Sequence, residues 1–247
     1  MTTTAEARPV FIAALPREIA GLVHGWRTDE TLAARNIHLY WNNDAVVACA
    51  GMGAHRASLA IEAALALGPA SELVSVGWAG ACIHRLHVGD VVHPDVVVDA
   101  KTGERYLPNE ERGQNDGLEI LVTVETPSGV AAKERLGVSY YATAVDMEAA
   151  AVARIARAHD LPFSAIKAIS DEASFELPEM QEFTTSDGQF REAAFGLRVA
   201  LRPRLWKPVA TLAKSSRLAA ELLQAAIKVH IADHISNQIS HRGKHTS

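Results

Sequence analysis

Cysteine is nearly absent from this chain: two in 247 residues, Cys49 and Cys82, each beside small or apolar neighbours. That number excludes a disulfide scaffold, and such thiols read as buried small hydrophobes in a reduced, cytoplasmic compartment. No apolar run approaches the roughly 18–20 residues of a membrane-spanning helix. The N-terminal MTTTAEARPV has no basic stretch leading into an apolar one, so no secretory leader is expected. Excess positive charge is missing too. With 29 acids against 24 bases the net charge is −5, which argues against a nucleic-acid partner. No phosphate-binding Walker loop, zinc-protease, serine-hydrolase or zinc-finger spacing occurs. His230/His234 and His241/His245 are spaced four apart but lack a fixed acidic or cysteine partner. They read as ordinary surface residues, and no metal site is expected.

What is present is a core-forming composition, 48% hydrophobic and 21% charged. Short β-branched runs alternate with alanine-rich helical stretches. Strands are expected at Val10–Ala14, Ile37–Trp41, Ala45–Ala50, Leu73–Val76, Leu118–Val124, Ala142–Val145 and Phe163–Ile169, with the second and third forming a hairpin. Val88–Val98 contains Pro94 and predicts a bent strand or two pieces. Helices are expected from Pro16 to about Trp26, from Ala54 to Leu67 and from Met147 to His159. This rhythm implies an α/β fold: one domain spanning 1–247, with a mostly parallel or mixed sheet and helices on both faces.

Charge is segregated near the C-terminus. Asp171–Glu192 holds seven acids and one base, whereas Leu197–Ala232 holds seven bases and one acid. The basic stretch is helical in pattern, and Leu212, Leu222, Leu223 and Ile227 are able to form an apolar face. It reads first as a helix packed on the sheet. The alternative is a basic amphipathic surface that meets anionic lipid at a membrane face.

Three segments end strands with glycine: Cys49-Ala-Gly-Met-Gly-Ala-His-Arg56, Ser75-Val-Gly-Trp-Ala-Gly-Ala81 and Thr126-Pro-Ser-Gly129. Glycine at such turns is usually geometric, but several together suggest strand ends converging on one crevice. Two carboxylate motifs are more specific. Ala144-Val-Asp-Met-Glu-Ala-Ala150 ends a strand and begins a helix, and Lys167-Ala-Ile-Ser-Asp171 ends an apolar strand in an acid. A carboxylate there stands over the crevice or caps a helix, and the spacing leaves both open.

With Ala14-Leu-Pro-Arg-Glu-Ile19, Val88-Gly-Asp-Val-Val92 and the motifs above in order, Val10–Ser174 resembles the nucleoside phosphorylase and nucleosidase superfamily. Within it, the chain looks closest to the hopanoid-associated phosphorylases. The resemblance implies a three-layer α/β/α fold, a homo-oligomer and a small-molecule nucleoside as partner. No metal or redox cofactor is implied, though inorganic phosphate is a possible co-substrate. It implies that Asp171 protonates the departing purine, that Glu148 accepts from the ribose hydroxyls with Met147 packed on the sugar, and that Glu18 orients and deprotonates a water. Lys167 stands where the nucleosidases have an arginine beside that water. Gly51, Gly53 and Arg56 would serve a phosphate, with Arg17 a second candidate. Trp78 departs from the family, replacing a small hydroxyl residue at the nucleophile site. No counterpart of the base-stacking aromatic is evident, which leaves the base open. Phosphorolysis of an adenosine derivative such as adenosylhopane is the first expectation. Hydrolysis of the methylthioadenosine or futalosine type is the rival, and a non-catalytic nucleoside-binding protein the third reading.

Overall fold

A computed structural model describes residues 7–108, 118–176 and 206–244. The strands are β1 Arg8–Ala13, β2 Arg27–Thr28, β3 His38–Trp41, β4 Val46–Cys49, β5 Ala70–Ala81, β6 Val91–Val92, β7 Val96–Asp99, β8 Arg105–Tyr106, β9 Ile120–Thr123, β10 Ala144–Asp146 and β11 Phe163–Asp171. The helices are α1 Pro16–Ile19, α2 Glu30–Ala33, α3 Ala54–Leu65, α4 Val130–Tyr140, α5 Ala149–Ala158 and α6 Trp206–Lys244.

The strands form one mixed sheet in the order β2-β3-β4-β1-β5-β10-β9-β7-β8, with β11 against β5 and β6 against β11. Alternation along the central strands sorts side chains into two layers. Val10 and Ile12, with Val46, Ala48 and Leu73, face α3 and α5. Phe11 and Ala13, with Val47, Val74, Ile166 and Ala168, face Ile19 and the Ala219, Leu223, Ile227 and Ile231 stripe of α6. Helices thus cover both faces, as the sequence predicts.

Short β2, α2 and β8 have no counterpart in the sequence expectation, and three further elements differ from it. The helix opened by Pro16 lasts a single turn. Beyond it Gly21 lies against Gln224 of α6, whose side chain also donates to the Glu18 carbonyl oxygen. The close approach of α6 redirects the chain there. β5 runs through Gly77 and Gly80 instead of ending at Val76, because β11 pairs alongside as far as Gly80. Helix α4, which the periodicity did not reveal, packs Leu136 and Tyr140 over a small cluster that includes Val96, Ile120 and Val122. The proline-bearing run splits into β6 and β7 as expected.

Helix α6 gives its apolar stripe to the sheet: Leu223 and Ile227 are fully buried, and Lys214, Arg217 and Lys228 face solvent. Burying a leucine there is worth about 1.5–3 kcal/mol. Arg198, Arg202 and Arg204, most of the acidic stretch after Glu176, and His245 lie outside the described residues, as do the side chains of Lys207 and His241. His230 and His234 turn to Glu72, at 2.8 and 3.7 Å. Among the described residues no helix is long and apolar enough to cross a membrane, and no metal-binding cluster of His, Cys, Asp or Glu occurs.

Candidate active site

The carboxyl ends of β1, β5, β10 and β11 open into one cleft with a cavity volume of about 150 Å³. Its lining includes Arg17, Glu18, Met52, Trp78, Gly80, Lys133, Asp146, Met147, Glu148, Ser170 and Asp171, with Leu212 and Ser216 contributed by α6. Most of these come from segments far apart in sequence, which only the sheet order brings together.

Glu18 is buried in α1, two residues after Pro16. Its Oε2 accepts from the amides of Ala14 (3.0 Å) and Leu15 (2.9 Å), and its Oε1 from the amide of Trp78 (3.3 Å). Burial pushes its carboxyl above the ordinary carboxylate range, while these amides and Lys167 act in the opposite sense. Gly77 makes the approach possible. Its φ is +140°, and a Cβ there would stand 3.3 Å from both Glu18 oxygens. Trp78 therefore meets Glu18 through its main chain. Its ring lies under the Arg17 guanidinium at 5.2 Å.

Glu148 closes the turn from β10 into α5. Its Oε1 accepts from the Gly53 amide at 2.7 Å. Burial, then the charge of Asp146, pushes its carboxyl up to about 7, against the opposing pull of Lys167. Asp146 organises the floor of this turn. Its Oδ2 accepts from the amides of Ala149 (2.8 Å) and Glu148 (3.3 Å), and its Oδ1 from the Thr123 hydroxyl (2.6 Å). The Lys167 ammonium lies 2.9 Å from the same Oδ2, and both side chains are wholly buried. Burial alone would lower the Lys167 pKa, but Asp146 and Glu148 hold it above the ordinary lysine value.

Asp171 ends β11. Its Oδ1 accepts from the Ser170 hydroxyl at 2.7 Å, and its Oδ2 from the Lys133 ammonium. Lys133 also donates to the Glu172 carbonyl oxygen at 2.9 Å.

Glu18, Trp78, Met147, Glu148 and Asp171 are thus gathered in the cleft. Gly51, Gly53, Arg56 and Lys167 are not in its lining. Gly51 and Gly53, with φ of +128° and +87°, shape the turn that carries Met52 into it. Arg56 is buried in the first turn of α3, and Lys167 lies behind Asp146. Sequence reasoning missed two participants. Asp146 sits inside the quoted Val-Asp-Met-Glu motif, where a strand-ending acid ahead of a helix was signal enough. Lys133 lies on the unrecognised α4, and its signal was a base four residues after Gly129 in the Thr126-Pro-Ser-Gly129 turn.

A sequence model of the phosphorylase superfamily matches residues 10–127 and 120–201. The chain belongs to that superfamily. No curated protein matches it in sequence. Among solved structures, this superfamily member is similar to Arabidopsis thaliana 5′-methylthioadenosine nucleosidase, at 18% identity over 93% of this chain and 96% of that one, with a TM-score of 0.66. It is also similar to Campylobacter jejuni 5′-methylthioadenosine/S-adenosyl homocysteine nucleosidase (17%, 89% and 98%, TM-score 0.59). Helicobacter pylori futalosine hydrolase is a third (17%, 90% and 97%, TM-score 0.57). At these identities the likeness is one of fold.

Proposed function

We propose that the protein hydrolyses the N-glycosidic bond of a purine nucleoside. The observation that carries this reading is the balance of charge in the cleft. Among the described residues four carboxylic side chains line it, Glu18, Asp146, Glu148 and Asp171, against the two cations Arg17 and Lys133. Carboxylates favour the oxocarbenium-like sugar that forms as the base departs, and they oppose entry of a phosphate anion. Arg56, the cation that phosphorolysis would call on, lies outside the lining. The nucleosidase and hydrolase names of the structural neighbours agree with this reading.

In the proposed reaction Glu148 accepts from the ribose hydroxyls. Asp171 delivers a proton to the departing purine, the C1′–N bond breaks, and its electron pair leaves with the base. A water oxygen bonds to C1′ and its proton passes to Glu18, which burial makes a stronger base than an ordinary carboxylate. The apolar part of the lining, including Leu15, Met52, Val124, Pro127 and Leu212, supports a nucleoside with an apolar 5′ substituent. Adenosylhopane, implied by the sequence resemblance, is one such compound.

The test is purine release from adenosine and 5′-alkylthio-adenosines with and without inorganic phosphate, with the sugar product identified. The free sugar (ribose from adenosine, 5-alkylthioribose from the thio-substituted substrates), formed at a rate indifferent to phosphate, is expected. Ribose 1-phosphate formed in proportion to phosphate would move the assignment to phosphorolysis. Binding without cleavage would make the protein a nucleoside-binding one.

A further inference from the structure

Lys133 is a wholly buried cation of the cleft lining without a role in that scheme. Its side chain is 1% exposed. It occupies the first turn of α4, where the helix dipole disfavours a cation, so helix formation does not account for it. The surroundings nevertheless accommodate it. Gly80 leaves the space: a Cβ there would lie 2.9 Å from both Lys133 Cε and Asp171 Oδ2. The ammonium donates to Asp171 Oδ2 and to the Glu172 carbonyl. Asp171 Oδ1 is occupied by the Ser170 hydroxyl. Both Asp171 oxygens therefore act as acceptors, and the bond to Lys133 is the carboxyl's link to an ionisable proton. A residue that breaks the local rules of burial and helix charge points to function.

We infer that Lys133 supplies the proton that Asp171 passes to the departing purine. This rests on the nucleoside-cleavage reading above. As the C1′–N bond lengthens, the ammonium proton moves to Asp171 Oδ2 and is handed on from the carboxyl to the base nitrogen. Lys133 is left as the neutral amine and Asp171 as the carboxylate. The base departs neutral, having gained one proton. Water contributes its oxygen to C1′ and one proton to Glu18. Re-equilibration with solvent returns one proton to Lys133 and removes one from Glu18, which restores the starting state. Ser170 and the Glu172 carbonyl keep Asp171 and Lys133 aligned throughout. Lys133 acts through Asp171 and is a positioning and relay residue.

The test compares leaving groups. Purine needs a proton to depart, whereas 4-nitrophenolate leaves as the anion. Lys133→Met and Lys133→Arg are each assayed on adenosine, or the best purine nucleoside found, and on 4-nitrophenyl β-D-riboside. Arginine keeps the cation beside Asp171 but does not release its proton. Both variants should lose roughly 10²-fold or more in kcat on the purine nucleoside, with KM little changed. The nitrophenyl riboside should be affected far less. Thermal melting reports folding, and if the methionine variant does not fold, the arginine variant decides alone. Full purine cleavage by Lys133→Arg would reduce Lys133 to holding Asp171 and overturn the relay. An equal fall on both substrates would overturn it too. If the unaltered protein cleaves no nucleoside at all, the function reading fails and the relay with it. If it cleaves normally and only the variants disagree, the relay alone is wrong.

Discussion

The Gly53 amide donates to Glu148 Oε1 at 2.7 Å, although 95 residues of chain separate the two. Gly53 caps the N-terminus of α3 with φ +87° and ψ 168°, a conformation essentially confined to glycine. The turn read in the sequence as a phosphate cradle holds, through its Gly53 amide, the proposed ribose carboxylate.

Gly53→Ala should therefore act at a distance. Space for a Cβ exists, since no heavy atom lies within 4 Å of its position. The cost is backbone strain, about 1–3 kcal/mol. Relief of that strain rotates the amide away from Glu148. We expect a raised KM for ribosides with a smaller effect on 2′,3′-dideoxyribosides. Equal effects on both would separate Gly53 from sugar recognition.

Glu148 makes the pH dependence specific. Its carboxyl stands at about 7 in the fold, against an ordinary value of 4.5. Accepting from two hydroxyls requires the ionised form, so kcat/KM for ribosides should rise as pH increases through about 7. Stability runs the other way. Between the unfolded and folded values the native state binds more protons, so stability falls as pH rises across that window and levels off above it. Glu18, raised in the same direction, adds to the slope. Glu148→Gln should flatten the slope of melting temperature against pH and remove the activity limb near 7. An unchanged profile would place the titrating group elsewhere.

Asp171→Asn keeps the shape of the side chain but cannot pass on a proton. Turnover of purine nucleosides should fall by roughly 10²–10⁴-fold with the fold intact by circular dichroism. Near-normal turnover would remove Asp171 from the mechanism.

The Lys167–Asp146 pair predicts a stability effect. Both side chains are fully buried, and Asp146 also anchors the start of α5. Lys167→Ala leaves that carboxylate without its counter-charge, so unfolding in urea should show a loss of about 3–5 kcal/mol. A loss below about 1 kcal/mol, the size typical of exposed pairs, would show that the pair contributes little.

The sequence alone carried the α/β class, most of the strands and the two carboxylate motifs, because period-2 and period-3.6 patterns and strand-end acids are local signals. Val10–Ala14 and Phe163–Ile169 were legible as strands since their β-branched and aromatic residues sit in a buried parallel core. Partnership was not legible. That Glu18 faces the Trp78 amide, that Gly53 serves Glu148 and that Lys133 meets Asp171 all depend on strand order and on contacts across 38 to 95 residues. The same holds for Arg56 and Lys167. The resemblance marked them as phosphate- or nucleophile-site candidates, and the packing of α3 and the register of β11 put one in the first turn of a helix and the other behind Asp146. Helix α4 escaped notice because only Leu136 and Tyr140 pack on its small cluster, too few for a clear apolar stripe, and α1 stopped short because α6 crosses at Gly21. Local pattern determines which element a residue joins. Only tertiary packing decides which charges meet in the dry interior, where pairing is strong enough to set their chemistry.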